Sequence, residues 1–234
     1  MLSNFSQTDM WLSLGLAFVG GYGDAAGFVL ARTFTGHLTG NLVLGAIAAA
    51  AHDWRAMLGH LSAIVTFLIG IVLSVLLVRP LKAWSSWPLL PTIMGIEIIL
   101  ILAASLALAS GVAHGVEIFV IFVSLALGLQ NGAFRRAGGI SVHTTYLTGM
   151  ITSLISTEAE QYASQVVPPP VSAHDPKISL LCGIWIAFVL GAGTGAAMVL
   201  HFGAFGMLGA ALPLITLVPA RGAGLTTTQQ NERP

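Results

Sequence analysis

The sequence predicts an all-α membrane protein with six transmembrane helices and two short re-entrant half-helices, built as an inverted repeat of two halves. Three observations predict this fold. Charged residues make up only 8% of the 234 residues, whereas an average soluble domain has roughly 25%. Hydrophobic residues make up 56%, which leaves too little polar surface to cover a water-soluble domain. The apolar residues form runs of membrane-crossing length, and polar residues recur at matched positions in the two halves.

The first element of the prediction is the set of full spans. A helix that crosses the hydrocarbon core of a bilayer needs about 20 predominantly apolar residues. Six windows of the sequence come close to this length: 9–31, 58–78, 88–109, 116–134, 178–200 and 203–219. Only two residues separate the last two windows, so the turn between them must be very tight or one of the two helices must be shorter than its window. In the fifth window, Gly191 and Gly195 stand four residues apart, a spacing that predicts a close approach to another helix.

The re-entrant half-helices are predicted from two shorter apolar stretches, 41–51 and 146–155, each about half as long as a span. If both stretches cross fully, the chain has eight spans and its nine basic residues divide five against four between the two faces. If both enter and leave on one face, there are six spans and the division is seven against two. Because basic residues concentrate on the cytoplasmic face, we prefer the second arrangement. Arg32 and Arg55 then lie outside, and both termini are cytoplasmic.

An internal repeat relates the two halves of the chain, about 9–109 and 116–219. The segment 35–40 (TGHLTG) aligns with 144–149 (TTYLTG), and each segment introduces one of the short apolar stretches. Upstream of these turns, Asp24 and Asn131 each stand 16th in their windows. Since each half holds three spans, an odd number, the second half must be inserted upside down. We expect a single integral membrane domain over 1–220 and a disordered C-terminal tail over 221–234.

The Thr-Gly turns are the first candidates for a binding site. In transporters with inverted repeats, discontinuous helices from both halves meet near the bilayer midplane and form the substrate site. The candidate substrate-binding residues at and before these turns are Thr39, Gly40, Asn41, Asn131, Thr148 and Gly149. A half-helix that begins at depth directs unpaired N–H groups inward, and such an end attracts anions. The alternative is that Thr39 and Thr148 cap these N–H groups.

Two acidic residues, Asp24 and Glu97, lie inside predicted spans. A charged side chain at this depth costs on the order of 3 kcal/mol, so it normally faces a partner or a cavity. Asp24 is therefore a candidate proton or cation carrier, and Glu97 is a candidate proton-coupling residue. For each, the alternative is a structural hydrogen bond between helices, with Arg135 or Thr39 as the partner of Asp24. Arg135 is itself expected to anchor a helix end at the cytoplasmic surface, with an inward-facing counter-charge as its alternative.

Several of these motifs carry a resemblance to a known family. The run 22–28 (YGDAAGF), then 39–41 (TGN), 128–132 (GLQNG) and 148–149 (TG), is similar to the signature of the YoaK-like family of bacterial multi-pass membrane proteins. The resemblance covers the chain up to about residue 220. It implies a protein of the bacterial cytoplasmic (inner) membrane, in a family of largely unknown function for which small-molecule transport is the furthest guess. The second copy departs from the first, because Met150 stands where Asn41 does.

Three classes of function remain, of which transport is favoured. The first is a secondary transporter or channel for a small polar or anionic solute, with proton coupling through Asp24 or Glu97 as an option. The second is a structural or assembly protein, and the third, least favoured, is a membrane-embedded enzyme, because no H-E-x-x-H or G-x-S-x-G motif is present. We expect no enzymatic activity, no cofactor and no bound metal. The net charge of zero argues against nucleic acid as a partner. The expected partners are the solute and the lipid bilayer, with a homo-oligomer left open.

Overall fold

The fold is given by a computed structural model of the chain, which describes residues 7–83, 89–134, 136–137, 140–141, 149, 151–152, 155–156, 159 and 176–218. The helices are α1 (Gln7–Ala31), α2 (Leu38–Ala50), α3 (Trp54–Ala83), α4 (Leu89–Ala109), α5 (Gly115–Ala133), α6 (Pro176–Phe202), a 3-10 helix (Gly203–Ala210) and α7 (Ala211–Leu217). Two strands that the sequence did not predict, β1 (Arg136–Ala137) and β2 (Ile140–Ser141), form an antiparallel pair after α5.

Five helical stretches in the described part of the chain are long and apolar enough to cross a membrane. They are Gln7–Ala31, Trp54–Leu77, Leu90–Ala109, Gly115–Ala133 and Ile178–Leu217. This confirms the prediction of a helical, multi-pass membrane protein. The short stretch predicted at 41–51 is also helical, as α2, whereas most of 146–155 and the tail at 221–234 lie outside the described residues.

The last of these stretches contains both the fifth and the sixth predicted windows, and the chain reverses inside it. Gly203, at the start of the 3-10 helix, has a φ of +58°, a left-handed conformation that suits glycine. A Cβ atom built on Gly206 would lie 2.3 Å from the carbonyl oxygen of Met198. In a continuous α-helix residues eight apart are separated by about 12 Å along the axis. The 3-10 helix therefore folds back against the end of α6, so the turn is tight, and the α-helix that follows is shorter than the sixth window.

Two pairs of long helices pack in parallel through glycines. The Cβ positions of Gly191 and Gly195 on α6 would lie 2.0 and 2.6 Å from the carbonyl oxygens of Phe18 and Tyr22 on α1. This is the close approach that their spacing predicted. The same kind of contact joins α5 to α3, where the Cβ position of Gly128 would lie 2.2 Å from the carbonyl oxygen of Phe67. In both pairs the residue numbers rise together along the two helices, so the helices run in the same direction.

The first helix also packs against α5, and here the two run in opposite directions. The Gln130 side-chain amide donates to the Leu16 carbonyl oxygen at 3.0 Å, and Gly23 lies against Leu127. The Tyr22 hydroxyl donates to the Gly206 carbonyl oxygen and ties α1 to the 3-10 helix. These contacts place α1 at the centre of the protein, between α5, α6 and the chain's last turns.

The outer faces of the helices are apolar. On α3, for example, Val72 and Leu76 are more than half exposed, and on α6 Leu200 is 73% exposed. Many large apolar side chains exposed on the described helices are rare on soluble monomers and are the expected surface towards lipid. The interior, by contrast, contains buried polar side chains, among them Asp24, Asn41 and Glu97.

Candidate functional site

The centre of the candidate site is the segment 32–37, which joins α1 to α2 and folds back along α1. Two glycines on α1 make room for it. A Cβ atom on Gly27 would lie 2.7 Å from the Thr35 methyl carbon and 3.0 Å from the Thr33 carbonyl oxygen. A Cβ atom on Gly23 would lie 3.5 Å from the Thr35 hydroxyl oxygen. The Gly-rich run of α1 therefore provides a shelf on which non-helical backbone can lie.

Asp24 stands between these glycines and binds the backbone of the segment. Its Oδ1 accepts hydrogen bonds from the N–H groups of Thr35, at 3.0 Å, and Gly36, at 2.6 Å. The side chain is only 4% exposed, and its Oδ2 has no hydrogen-bond partner among the residues that the structure describes. Asp24 lies seven residues before the end of α1, hence about 10 Å along the helix from that end. The break in the helical backbone therefore lies well below the end of the span.

The carboxylate also faces the start of α2. His37 is the N-cap residue of α2 and makes no side-chain capping hydrogen bond, so Asp24, from another helix, takes N–H groups just before that end. The positive end of the α2 dipole complements negative charge on Asp24. The α2 end has no side-chain capping bond, so the alternative that Thr39 caps it does not hold there. The partners of Asp24 are the backbone N–H groups of Thr35 and Gly36, which precede α2, rather than Thr39. Arg135, the other predicted partner, lies outside the described residues.

Asn41 clamps the other side of the same segment. Its Oδ1 accepts from the Phe34 N–H at 3.1 Å, and its Nδ2 donates to the Phe34 carbonyl oxygen at 2.6 Å. Its Oδ1 also lies 3.3 Å from Nδ1 of the buried His60 on α3. Asp24 and Asn41 together hold three consecutive residues of the segment, so the backbone N–H groups of residues 34–36 are all paired within the protein.

Thr39 and Gly40 lie elsewhere, although they adjoin Asn41 in sequence. Thr39 is exposed, and both residues line a cavity of about 480 Å³ together with Phe28, Phe34 and His37. The walls of this cavity are largely aromatic and aliphatic, and the Phe28 and Phe34 rings stack with their centroids 4.7 Å apart. The structure therefore brings Asp24 and Asn41 together and separates Thr39 and Gly40 from them.

The remaining predicted residues lie on other helices. Glu97 is fully buried on α4, and neither of its carboxyl oxygens has a hydrogen-bond partner in the described ranges. Asn131, 8% exposed on α5, donates from Nδ2 to the Leu127 carbonyl oxygen at 3.0 Å and takes part in a further interaction. Gly149 is helical, whereas Thr148 lies outside the described residues.

A larger cavity opens above the segment 32–37, between the ends of α1, α3 and α5. We call it the vestibule. Its volume is about 730 Å³, within the range of small-molecule sites. Charged residues line it: Arg32, Asp53, Arg55 and Glu117. Arg55 and Glu117 form an exposed ion pair at 2.9 Å, whereas Arg32 has no ion-pair partner in the part of the chain that is described. His60 and Thr33 also line the vestibule, so it reaches the backbone held by Asn41.

Sequence reasoning missed three contributors to this region: Thr35, His60 and Ser124. Thr35 was part of the aligned turn but carried no role, although it lies between the two α1 glycines. Ser124 is a single hydroxyl in an otherwise apolar stretch of α5, and it is fully buried. A polar residue within a membrane span is the signal that would have drawn attention to it.

Membrane-length helices, an apolar outer surface and a buried polar break define the chain as a multi-pass membrane protein with a polar interior site. Its family follows from comparison. A family model described as a protein of unknown function (DUF1275) matches residues 12–219, and the chain belongs to that family.

One relative supports this assignment and confirms the resemblance seen in the motifs. The chain is 30% identical over 144 residues to the UPF0700 transmembrane protein YoaK of Bacillus subtilis (strain 168), an alignment that covers 60% of this chain. The chain spans 63% of the length of that relative. No solved structure matches the chain at a significant level.

Proposed function

We propose that this protein is a secondary transporter for a small polar or anionic solute, coupled to protons, with no enzymatic activity. The observation that carries the proposal is the break in the helical backbone beside Asp24, at depth in the first span and below a polar vestibule. Non-helical backbone at membrane depth is tolerated only where it is buried in protein or lines a wet cavity. In transporters, such breaks form the sites for substrate and coupling ion.

We also propose the full topology of six spans with two re-entrant half-helices. The vestibule supports it, because Arg32 and Arg55 line the same cavity although the whole of α2 lies between them in the chain. A helix α2 that crossed the bilayer would put them on opposite faces. The two arginines are also the two basic residues that the re-entrant arrangement assigns to the outer face. By the positive-inside rule both termini then lie in the cytoplasm, and the membrane is the bacterial inner membrane.

The inverted repeat is supported by equivalent helix contacts. Asp24 and Asn131 differ by 107 residues, and the same offset relates Gly21 to Gly128 on the corresponding helices. The Cβ position of Gly21 would lie 2.1 Å from the carbonyl oxygen of Phe188, and that of Gly128 would lie 2.2 Å from the carbonyl oxygen of Phe67. A second reciprocal pair follows the same offsets: Gly191 against Phe18, and Gly70 against Leu125. Since α1 and α5 run in opposite directions, the repeat is inverted.

The two buried acids are the proposed coupling residues. One carboxylate oxygen of Asp24 accepts backbone N–H groups, and the other has no hydrogen-bond partner in the described structure. Neither carboxyl oxygen of Glu97 has a hydrogen-bond partner there. An ionisable group inside a membrane span is costly unless it serves a function or finds a partner. Proton exchange at either residue would link solute movement to the proton gradient.

The test is flux in proteoliposomes that contain purified protein and an internal pH dye. Acetate and succinate serve as anionic probes, and glycine and glycerol serve as neutral polar probes. We expect at least one probe to drive proton movement, and Asp24→Asn or Glu97→Gln to abolish it while the protein stays folded. Ser105→Ala is the control, because the Ser105 hydroxyl is buried on α4 and donates to its own helix at Ile101. Full flux in both acid variants would exclude proton coupling, and no flux with any probe would count against transport.

A further inference from the structure

Three buried polar atoms, on α1, on the segment 32–37 and on α5, have no hydrogen-bond partner in the described part of the protein: Asp24 Oδ2, Thr35 Oγ1 and Ser124 Oγ. The exposed fractions of these residues are 4%, 1% and 0%. A buried polar atom without a partner costs about 1–3 kcal/mol, so three in one region require an explanation. All three are oxygens.

The first two atoms belong to residues that are joined by a hydrogen bond. Asp24 accepts the backbone N–H of Thr35 at 3.0 Å, and the Thr35 side chain lies on the glycine shelf on either side of Asp24. The carboxylate and the Thr35 hydroxyl therefore belong to the same small region.

Ser124 reaches the same region from α5. It follows Val120 by four residues and Ile121 by three, and both of these line the vestibule, so Ser124 is on the same helix face one turn deeper. Leu127, one turn deeper again, lies against Gly23. Because α1 and α5 are antiparallel, Ser124 is then level with Gly27, on which the Thr35 methyl group packs. The helix register thus places Ser124 at the level of Asp24 and Thr35, deeper than the residues of α5 that line the vestibule.

We propose that Asp24, Thr35 and Ser124 form a binding site for a hard monovalent cation of the sodium class. Hard cations prefer oxygen ligands, and carboxylate, hydroxyl and backbone carbonyl oxygens are the groups present here. The site holds a single carboxylate, so a monovalent ion leaves no net charge in a low-dielectric interior, whereas a divalent ion would leave an uncompensated positive charge. Water and backbone carbonyl oxygens complete the coordination.

This assignment rests on the proposed transport function, and it gives different roles to the two buried acids, Asp24 and Glu97. The Oδ1 of Asp24 holds two backbone N–H groups, whereas its Oδ2 keeps its lone pairs available in the region of the Thr35 hydroxyl, which suits a cation. Glu97 is surrounded on its helix face by Ile93, Met94 and Ile101, all buried, and offers no second oxygen ligand of its own. Asp24 then binds the coupling cation, and Glu97 is the remaining candidate for proton exchange.

The site is tested by thermal unfolding of the full chain in detergent, at constant ionic strength, in sodium chloride, potassium chloride or choline chloride. Sodium at 100 times its Kd should raise Tm by about 5–10 °C relative to choline. Thr35→Val and Ser124→Ala should each raise the Kd for sodium at least tenfold, and Asp24→Asn should remove the sodium-dependent rise in Tm. Ser105→Ala is the matched control and should keep it.

An equal Tm in sodium and choline would overturn the site, and so would a full sodium response in Thr35→Val and Ser124→Ala together. An equal response to sodium and potassium would overturn the assignment to the sodium class. The proposed function fails differently. Solute flux that needs no sodium leaves transport in place and removes the cation site, whereas sodium stabilisation without any solute flux keeps the site and removes transport.

Discussion

Replacing Asp24 separates its structural role from its proposed functional role. Asp24→Ala removes the acceptor of two buried N–H groups, those of Thr35 and Gly36. Each buried donor left unpaired costs about 1–3 kcal/mol, so the free energy of unfolding should fall by about 2–6 kcal/mol. For a chain of this size, each kcal/mol changes Tm by roughly 2–4 °C. Asp24→Ala should therefore lower Tm by about 5–20 °C.

Asp24→Asn provides the comparison, because the amide oxygen can still accept both N–H groups. We expect its Tm to stay within about 4 °C of the parent, since the loss is limited to the weaker acceptor. Asp53→Ala is the matched control for removing an aspartate. Asp53 accepts one exposed N–H, that of Ala56, at 3.0 Å, and such a cap contributes about 1 kcal/mol.

The measurement is thermal unfolding of the parent and the three variants in one detergent and one sodium-free choline chloride buffer, so that loss of bound sodium does not contribute to the differences. We expect the lowest Tm for Asp24→Ala, a higher Tm for Asp53→Ala, and a Tm close to that of the parent for Asp24→Asn. If Asp24→Ala is no less stable than Asp53→Ala, the hydrogen bonds to Asp24 do not hold the segment 32–37. If Asp24→Asn is as unstable as Asp24→Ala, the charge rather than the acceptor is essential to the fold.

Three further predictions follow from contacts elsewhere. Gly191→Ala forces α6 at least about 1 Å away from α1 and should destabilise the protein by about 1–3 kcal/mol in thermal unfolding; Gly193→Ala, with open space around its Cβ position, should be neutral or stabilising by up to about 1 kcal/mol. Asn41→Ala should cost about 1–3 kcal/mol, and Asn41→Asp, which keeps the acceptor for the Phe34 N–H but turns an oxygen towards the Phe34 carbonyl and adds a buried charge, should cost at least as much. Cysteines at positions 32 and 53, in a background without the native cysteine, should react with an impermeant reagent from the same side of the membrane; reaction from opposite sides would exclude a re-entrant α2.

The positions of the helices could be predicted because length and apolarity alone decide them. The first five predicted windows lie on α-helices, with boundaries that moved by a few residues, whereas the sixth lies on the 3-10 helix and the short α7. The short strands after α5 could not be foreseen in this way, because two residues carry no periodicity.

The site was less predictable for two physical reasons. Every residue carries a backbone N–H, so nothing in the sequence marks Thr35 and Gly36 as the donors to Asp24. Residues adjacent in sequence also diverge on a helix, since each step turns by about 100°. Thr39 and Asn41 were grouped as one motif, yet Asn41 is buried against Phe34 and His60 while Thr39 is exposed.

In the proposed repeat, the two halves share the same glycine contacts between helices but differ in their buried charged residue. The glycine contacts recur at constant offsets between the two halves, whereas Asp24 is matched by Asn131, whose amide donates within its own helix at 3.0 Å. A second carboxylate at the equivalent depth would add another costly buried charge, which an amide avoids while still forming hydrogen bonds. One chain therefore carries one charged position of this kind, and the cation site should bind one sodium ion per chain. Radioactive sodium binding to purified protein measures this ratio, and a value of two would show that the second half contributes an equivalent site without a carboxylate.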